Sequence, residues 1–189
     1  MSIYIKLEPW EIHHAAMAGV QRQVQNIEEE AKQNYGNKNQ TNWQIAIEGC
    51  LGEYAAAVVT GQLWRGKGPR NGPDIGKSDE VRTTEYPNGK LILHPKDKRG
   101  LKFWLVTGKY GVYQVRGWIM SQYAIHPDYW DDHFKNGRPC FAVPQEDLVQ
   151  VRQVRYVDIV ETPPPSFKTP LPDDEYEKFI KPLLELENK

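Results

Sequence analysis

Between Glu8 and Asn34, apolar residues recur at helical spacing. Trp10, Met17, Val24 and Ala31 lie seven apart, with His13, Val20 and Ile27 at the complementary heptad positions. That predicts a helix with a narrow apolar stripe. Pro9 suits its first turn, and Tyr35-Gly36-Asn37 carries a glycine stop signal. The stripe either packs on the rest of the domain or forms a dimer seam, and three short heptads favour packing. A second helix is expected from Trp43 to about Thr60, capped by Thr41 or Asn42. Trp43, Ile47, Cys50, Leu51, Tyr54 and Val58 share one arc, bordered by Ala46, Glu53 and Ala57. Its many small residues, Gly49, Gly52, Ala55 and Ala56 among them, permit close approach to a sheet.

After Gly61 the pattern changes to strands, the first opening around Leu63-Trp64-Arg65. Glu80 to Glu85 alternates, with Val81 and Thr83 on one face and Arg82 and Thr84 on the other. Asn88-Gly89 predicts a hairpin returning through Leu91-Ile92-Leu93. Leu101–Thr107, Val112–Met120, Cys140–Val143 and a stretch within Val149–Ile159 supply further strands, and Gln122 to Lys135 is irregular or weakly helical. Pro163, Pro164, Pro165, Pro170 and Pro172 interrupt regular structure before a short helix from Asp173 to Leu186. The order predicts an α/β (α+β) fold, a central mixed β-sheet flanked by helices. The organisation is one domain over residues 1–160, with an N-terminal helical extension (1–40), a core (41–120) and accessory strands (121–160). A Pro-rich tail follows over 161–189.

Composition narrows the class. The chain has 189 residues, 39% hydrophobic and 26% charged, ordinary for a globular domain. No apolar run reaches the ~18 residues needed to span a bilayer, and the N-terminus lacks a secretory apolar core. Cys50 and Cys140 are expected as reduced thiols in a cytoplasmic protein. The compact size and lack of a targeting segment are compatible with a protein of a bacterium or phage-infected host cell, which composition itself does not show. The net charge of −1 gives no global attraction to nucleic acid, so any such surface is a local patch.

One stretch carries candidate chemistry: Gly72-Pro73-Asp74-Ile75-Gly76, then Asp79-Glu80-Val81-Arg82. A tight turn from Gly76 to Asp79 would bring the Asp74 and Glu80 carboxylates together. Two carboxylates with water and phosphate oxygens are what Mg²⁺ takes. Arg82, two along from Glu80, projects to the same side of the strand and can neutralise phosphate charge. Singly, Asp74 is an ordinary turn residue and Glu80-Arg82 an ordinary solvated strand face. Their order together favours chemistry.

These residues resemble the PD-(D/E)xK, or restriction-endonuclease-like, nuclease superfamily. Pro73-Asp74 matches its Pro-Asp pair, and Glu80-Val81-Arg82 its acidic-x-Lys step with Arg in place of Lys. Glu48-Gly49-Cys50-Leu51-Gly52-Glu53 resembles the Gly-Glu helix that precedes the motif, and the resemblance extends from Trp43 to Ile119. It implies a restriction-endonuclease-like core. It also implies Mg²⁺, with Mn²⁺ as substitute, held by Asp74, Glu80, the Val81 carbonyl and Glu53. The implied reaction is hydrolysis of a phosphodiester, in DNA, by metal-activated water. Arg82 departs from the pattern: a guanidinium clamps phosphate but cannot act as a base. Lys77 or Lys90 is the nearest amine in sequence to replace the lysine.

Arg65, Lys67, Arg70, Lys77 and Lys90 are candidate nucleic-acid contacts, with scattered loop charge as the equal alternative. The His126 to His133 segment lacks zinc-site spacing and is expected to be a surface loop. Cys50, on an apolar arc, is expected in the core. Two other functions stay open: a non-catalytic nucleic-acid- or protein-binding module on a nuclease scaffold, and a homodimer joined through the N-terminal helix.

Overall fold

The computed structural model describes residues 3–30, 40–66, 72–132, 139–154, 158–164 and 166–187. Lys67, Arg70 and the Tyr35-Gly36-Asn37 stop signal lie outside them. A mixed sheet flanked by helices forms the centre. It runs in the order β2 (Asp79–Thr84), β4 (Lys102–Lys109), β5 (Val112–Met120), β8 (Val149–Val154), β9 (Asp158–Thr162). β1 (Ile3–Lys6) also pairs with β5. A smaller sheet orders β3 (Leu91–Leu93), β7 (Cys140–Val143) and β6 (Trp130–Asp131).

Two helices cover one face. α1 (Pro9–Glu28) starts with Pro9 and a capping box between Glu8 and Glu11. α2 (Asn42–Thr60) is capped by Thr41, whose hydroxyl accepts from the Gln44 amide, and ends on left-handed Gly61. Leu51, Ala55, Ala56, Val81, Trp104, Val106, Tyr113 and Val115 form the core beneath them. On the opposite face Phe103, Leu105 and Ile119 pack with Leu91, Leu93, Phe141 and Val143 of the small sheet. A short helix α3 (Ser121–Ala124) follows β5, and α4 (Asp173–Glu187) closes this second core through Ile180. A bulge at Arg116 shifts the phase of β5, so Tyr113, Val115 and Trp118 all turn toward the α2 layer.

Two expectations need correction. The hairpin from β2 into Leu91–Leu93 does not form: β3 pairs with β7 instead. One edge of β2 is taken by β4, in parallel, and the other by Asp74 and a bridge from Ile75 to Asp79. No edge is left for β3, and the chain crosses the second layer before returning as β4. The heptad stripe of α1 does not face the domain either. Ala15, Gly19 and Gln23 are buried there, while Trp10, Met17, Val24 and Ile27 are exposed. Small residues win the interface because they let two helix backbones approach. A Cβ on Gly19 would lie 2.6 Å from the Ile47 Cα.

The strand expected within Val149–Ile159 is β8; beyond the expected elements, β1 and β9, which pairs with β8, add strands. Trp64 makes only an isolated bridge to Ile75. Cys50 and Cys140 are buried free thiols, as expected of core residues, with burial pushing both up to about 12. Among the described residues no helix is long and apolar enough to cross a membrane.

Candidate active site

The site is built on the edge of β2 away from β4, where Asp74 and Ile75 cover the strand. The turn after Ile75, with Gly76 at φ 58°, folds the chain back so that Asp74 lies beside Val81. Asp74 Oδ2 accepts from the Val81 amide at 2.9 Å. In a strand, a residue's N–H and C=O point to the same side. The Val81 carbonyl therefore faces the same edge as Asp74. Glu80 and Arg82 project from the sheet face opposite α2, whereas Asp79 and Val81 project toward α2.

Asp74 is only 5% exposed, and its carboxyl and that of Glu80 lie close enough to shift each other. Burial, then the charges of Glu53 and Glu80, push Asp74 up to about 8, against the Val81 amide and Arg82, which pull it down. Burial also raises Glu80; Arg82 opposes that and Asp97 adds to it. The turn-borne and strand-borne carboxylates therefore meet at one spot.

Arg82 is held in place by neighbours distant in sequence. Its Nη2 bonds Asp97 Oδ1 at 2.9 Å, its Nη1 lies 3.8 Å from Glu80 Oε2, and its guanidinium sits 4.9 Å above the Phe103 ring. Asp97 is itself fixed by the His94 amide at 2.8 Å. The Arg82 side chain keeps 31% exposure.

Glu53 arrives from α2 on the other side of Asp74. It is 5% exposed and gripped by Arg22 of α1 in a two-pronged contact, 2.6 Å to Oε1 and 2.7 Å to Oε2. Trp64 Nε1 adds a third donor at 3.1 Å. Burial works against the Arg22 charge, but the Glu53 carboxylate outweighs it and keeps the guanidinium protonated. Among the described residues, the cations paired with Glu53, Glu80 and Asp97 are Arg22 and Arg82, so with Asp74 the acidic groups outnumber them, and Asp74 and Glu80 are both raised.

Hard oxygen donors with surplus negative charge fit a small divalent cation. Among the described residues, however, no group of three or more His, Cys, Asp or Glu side chains is arranged to hold a metal ion. A cation here would rest on Asp74, Glu80, the Val81 carbonyl and water.

The other named cations are more peripheral. Arg65 is exposed and bonds the Gly76 carbonyl at 3.3 Å, which sets it beside the Asp74 turn. Lys77 lies exposed in that turn, and Lys90 is exposed before β3. A groove of about 990 Å³ runs between α1 and the end of α2, lined by His14, Met17, Tyr54, Leu63 and Trp64. It lies off the carboxylates but shares Trp64 with them. Asp79, inside the motif, is structural: Oδ2 accepts from Trp104 Nε1 at 2.8 Å and Gln62 Nε2 at 2.9 Å. In the His126 segment, Asp128 pairs with Lys168 at 3.0 Å.

Sequence reasoning missed Arg22 and passed over Asp97. The one legible signal for Arg22 is its place on the small-residue face of α1, in line with Ala15 and Gly19. Compared with protein-family models, curated proteins and solved structures, the chain matches none.

Proposed function

We propose that this chain is a Mg²⁺-dependent nuclease on a restriction-endonuclease-like core, hydrolysing phosphodiester bonds in DNA. The observation that carries the reading is buried Asp74 held on the Val81 amide beside Glu80, at the edge of β2 away from β4, with Arg82 fixed close by. Asp74, Glu80 and the Val81 carbonyl would hold Mg²⁺, with Mn²⁺ as substitute. Bound there, the cation would supply charge for the phosphate oxygens and acidify water. Arg82 orients and neutralises the phosphate. It takes no proton, because its own pKa is raised: burial alone would lower it, but Asp97, Asp74 and Glu80 outweigh that. Both carboxyls are raised, so protons compete with a cation at Asp74 and Glu80 and cation binding strengthens as pH rises. Arg65 and Lys77, exposed beside the Asp74 turn, suit flanking phosphates.

The test is cleavage of duplex and single-stranded DNA with Mg²⁺, Mn²⁺ or EDTA. Asp74→Ala is expected to lower the metal-dependent rate about 100-fold or more. An Asp74→Ala protein that cuts at the parent rate sinks the assignment. DNA retained by the parent but cut under neither metal would favour the binding-module reading, which the missing motif lysine supports.

A further inference from the structure

Glu53 sits where the nuclease resemblance would place an accessory metal ligand, yet both its oxygens are already occupied by a cation. The Arg22 guanidinium meets them as a planar fork at 2.6 and 2.7 Å, in a position where Arg22 is 13% and Glu53 7% exposed at the side chain. A fork of this kind satisfies the carboxylate in direction as well as charge. Trp64 Nε1 takes a further lone pair at 3.1 Å. A divalent ion approaching Glu53 would have to displace a buried guanidinium and meet like-charge repulsion on the way. The cation is supplied by α1, locked to α2 by the close approach at Gly19 one turn before Arg22. On the other side of Asp74, among the described residues, no cation grips a carboxylate as closely as this plug. Arg82 leans to Asp97 at 2.9 Å and makes only a long single contact of 3.8 Å to Glu80, a looser hold than the two-pronged one on Glu53.

We infer that Arg22 is a built-in substitute for a second divalent cation, so that the site takes one metal ion, at Asp74 and Glu80, with Glu53 as a fixed neighbouring charge. This rests on the metal-dependent nuclease reading and sharpens it. Arg22 is a positioning residue: it touches Glu53, not the phosphate. Three consequences follow for binding. The parent takes one ion. Removing only the plug bares a second carboxylate site. Removing plug and carboxylate together leaves the first ion where it was.

The experiment is Mn²⁺ titration by calorimetry, with electron paramagnetic resonance to detect paired ions. The parent is expected to bind one equivalent. Arg22→Met is expected to bind two, with spin coupling between them and a larger rise in Tm with Mn²⁺ than the parent shows. Because that variant strands a buried carboxylate and can fail to fold, Arg22→Met/Glu53→Gln is the companion. Losing both partners of a buried pair is tolerated far better than losing one. The companion is expected to bind one equivalent with Kd within about threefold of the parent. A direct Glu53 ligand would instead weaken binding about tenfold or more in the companion, by analogy with the effect of losing groups that support a metal site. Two coupled ions in the parent, one ion in a folded Arg22→Met, or that tenfold loss would each overturn the inference and leave the nuclease reading standing. No Mn²⁺ bound by the parent would overturn both.

Discussion

Asp74 is a buried carboxyl whose ionisation works against the fold. Burial and two acidic neighbours raise it from an ordinary 3.8 to about 8. A carboxyl with a raised folded-state pKa favours folding when protonated, so the sign is set. In EDTA, as pH climbs from the ordinary carboxylate range, the unfolded chain ionises while the folded chain keeps its proton. Stability is therefore lost between about pH 4 and pH 8 and levels off above. Glu80, also raised, adds in the same direction. Asn can still accept from the Val81 amide without bearing charge. Asp74→Asn should flatten the profile and exceed the parent by about 2 kcal/mol at pH 8, with the gap closing toward pH 4. Urea denaturation across that range measures it. A parent that gains stability from pH 5 to pH 8, or a variant weaker than it at pH 8, contradicts the argument.

At the scale of elements, what was legible in the chain is what is local. Val112–Met120 follows from its own residues, and the Thr41 cap and Gly61 stop of α2 from single positions. The Asp74–Glu80 meeting was legible because one short turn makes it. Pairing between distant segments was not. Nothing within Leu91–Leu93 says that its partner is Cys140–Val143, and nothing near Glu53 names Arg22, 31 residues away. The α1 stripe misled for a related reason: periodicity finds the apolar face, but the tightest contact belongs to the smallest residues. Gly19 tests this. Its Cβ would fall 2.6 Å from the Ile47 Cα and 2.8 Å from the Ala46 carbonyl oxygen, backbone atoms that no rotamer change can move. Gly19→Ala should destabilise by about 1–3 kcal/mol despite better helix propensity. Gly49→Ala, with nothing within 4 Å, should be neutral or stabilising. Equal unfolding midpoints for the two variants would refute the close-approach account.

For the whole molecule, α1 has two faces with opposite uses. One carries Ala15, Gly19 and Arg22 into α2 and the carboxylate cluster. The other carries Trp10, Met17 and Ile27 at 63%, 54% and 56% exposure, with Val24 at 40%. Heptad spacing on an exposed helix face is the pattern that a second helix of the same kind fills. Contiguous exposed apolar surface marks association sites. A twofold pairing of α1 with its copy would bury that row and leave the Arg22 face untouched. The chain should then self-associate, its mass rising from monomer toward dimer across the micromolar range in sedimentation equilibrium, and its unfolding midpoint rising with concentration. Met17→Glu places a charge in the centre of the row without disturbing the buried face. It should hold the chain as a monomer with an unchanged far-ultraviolet spectrum and leave the Mn²⁺ stoichiometry as in the parent, since the guanidinium at Glu53 lies on the other side of the helix. A parent that stays monomeric at the highest concentration reached rules the seam out.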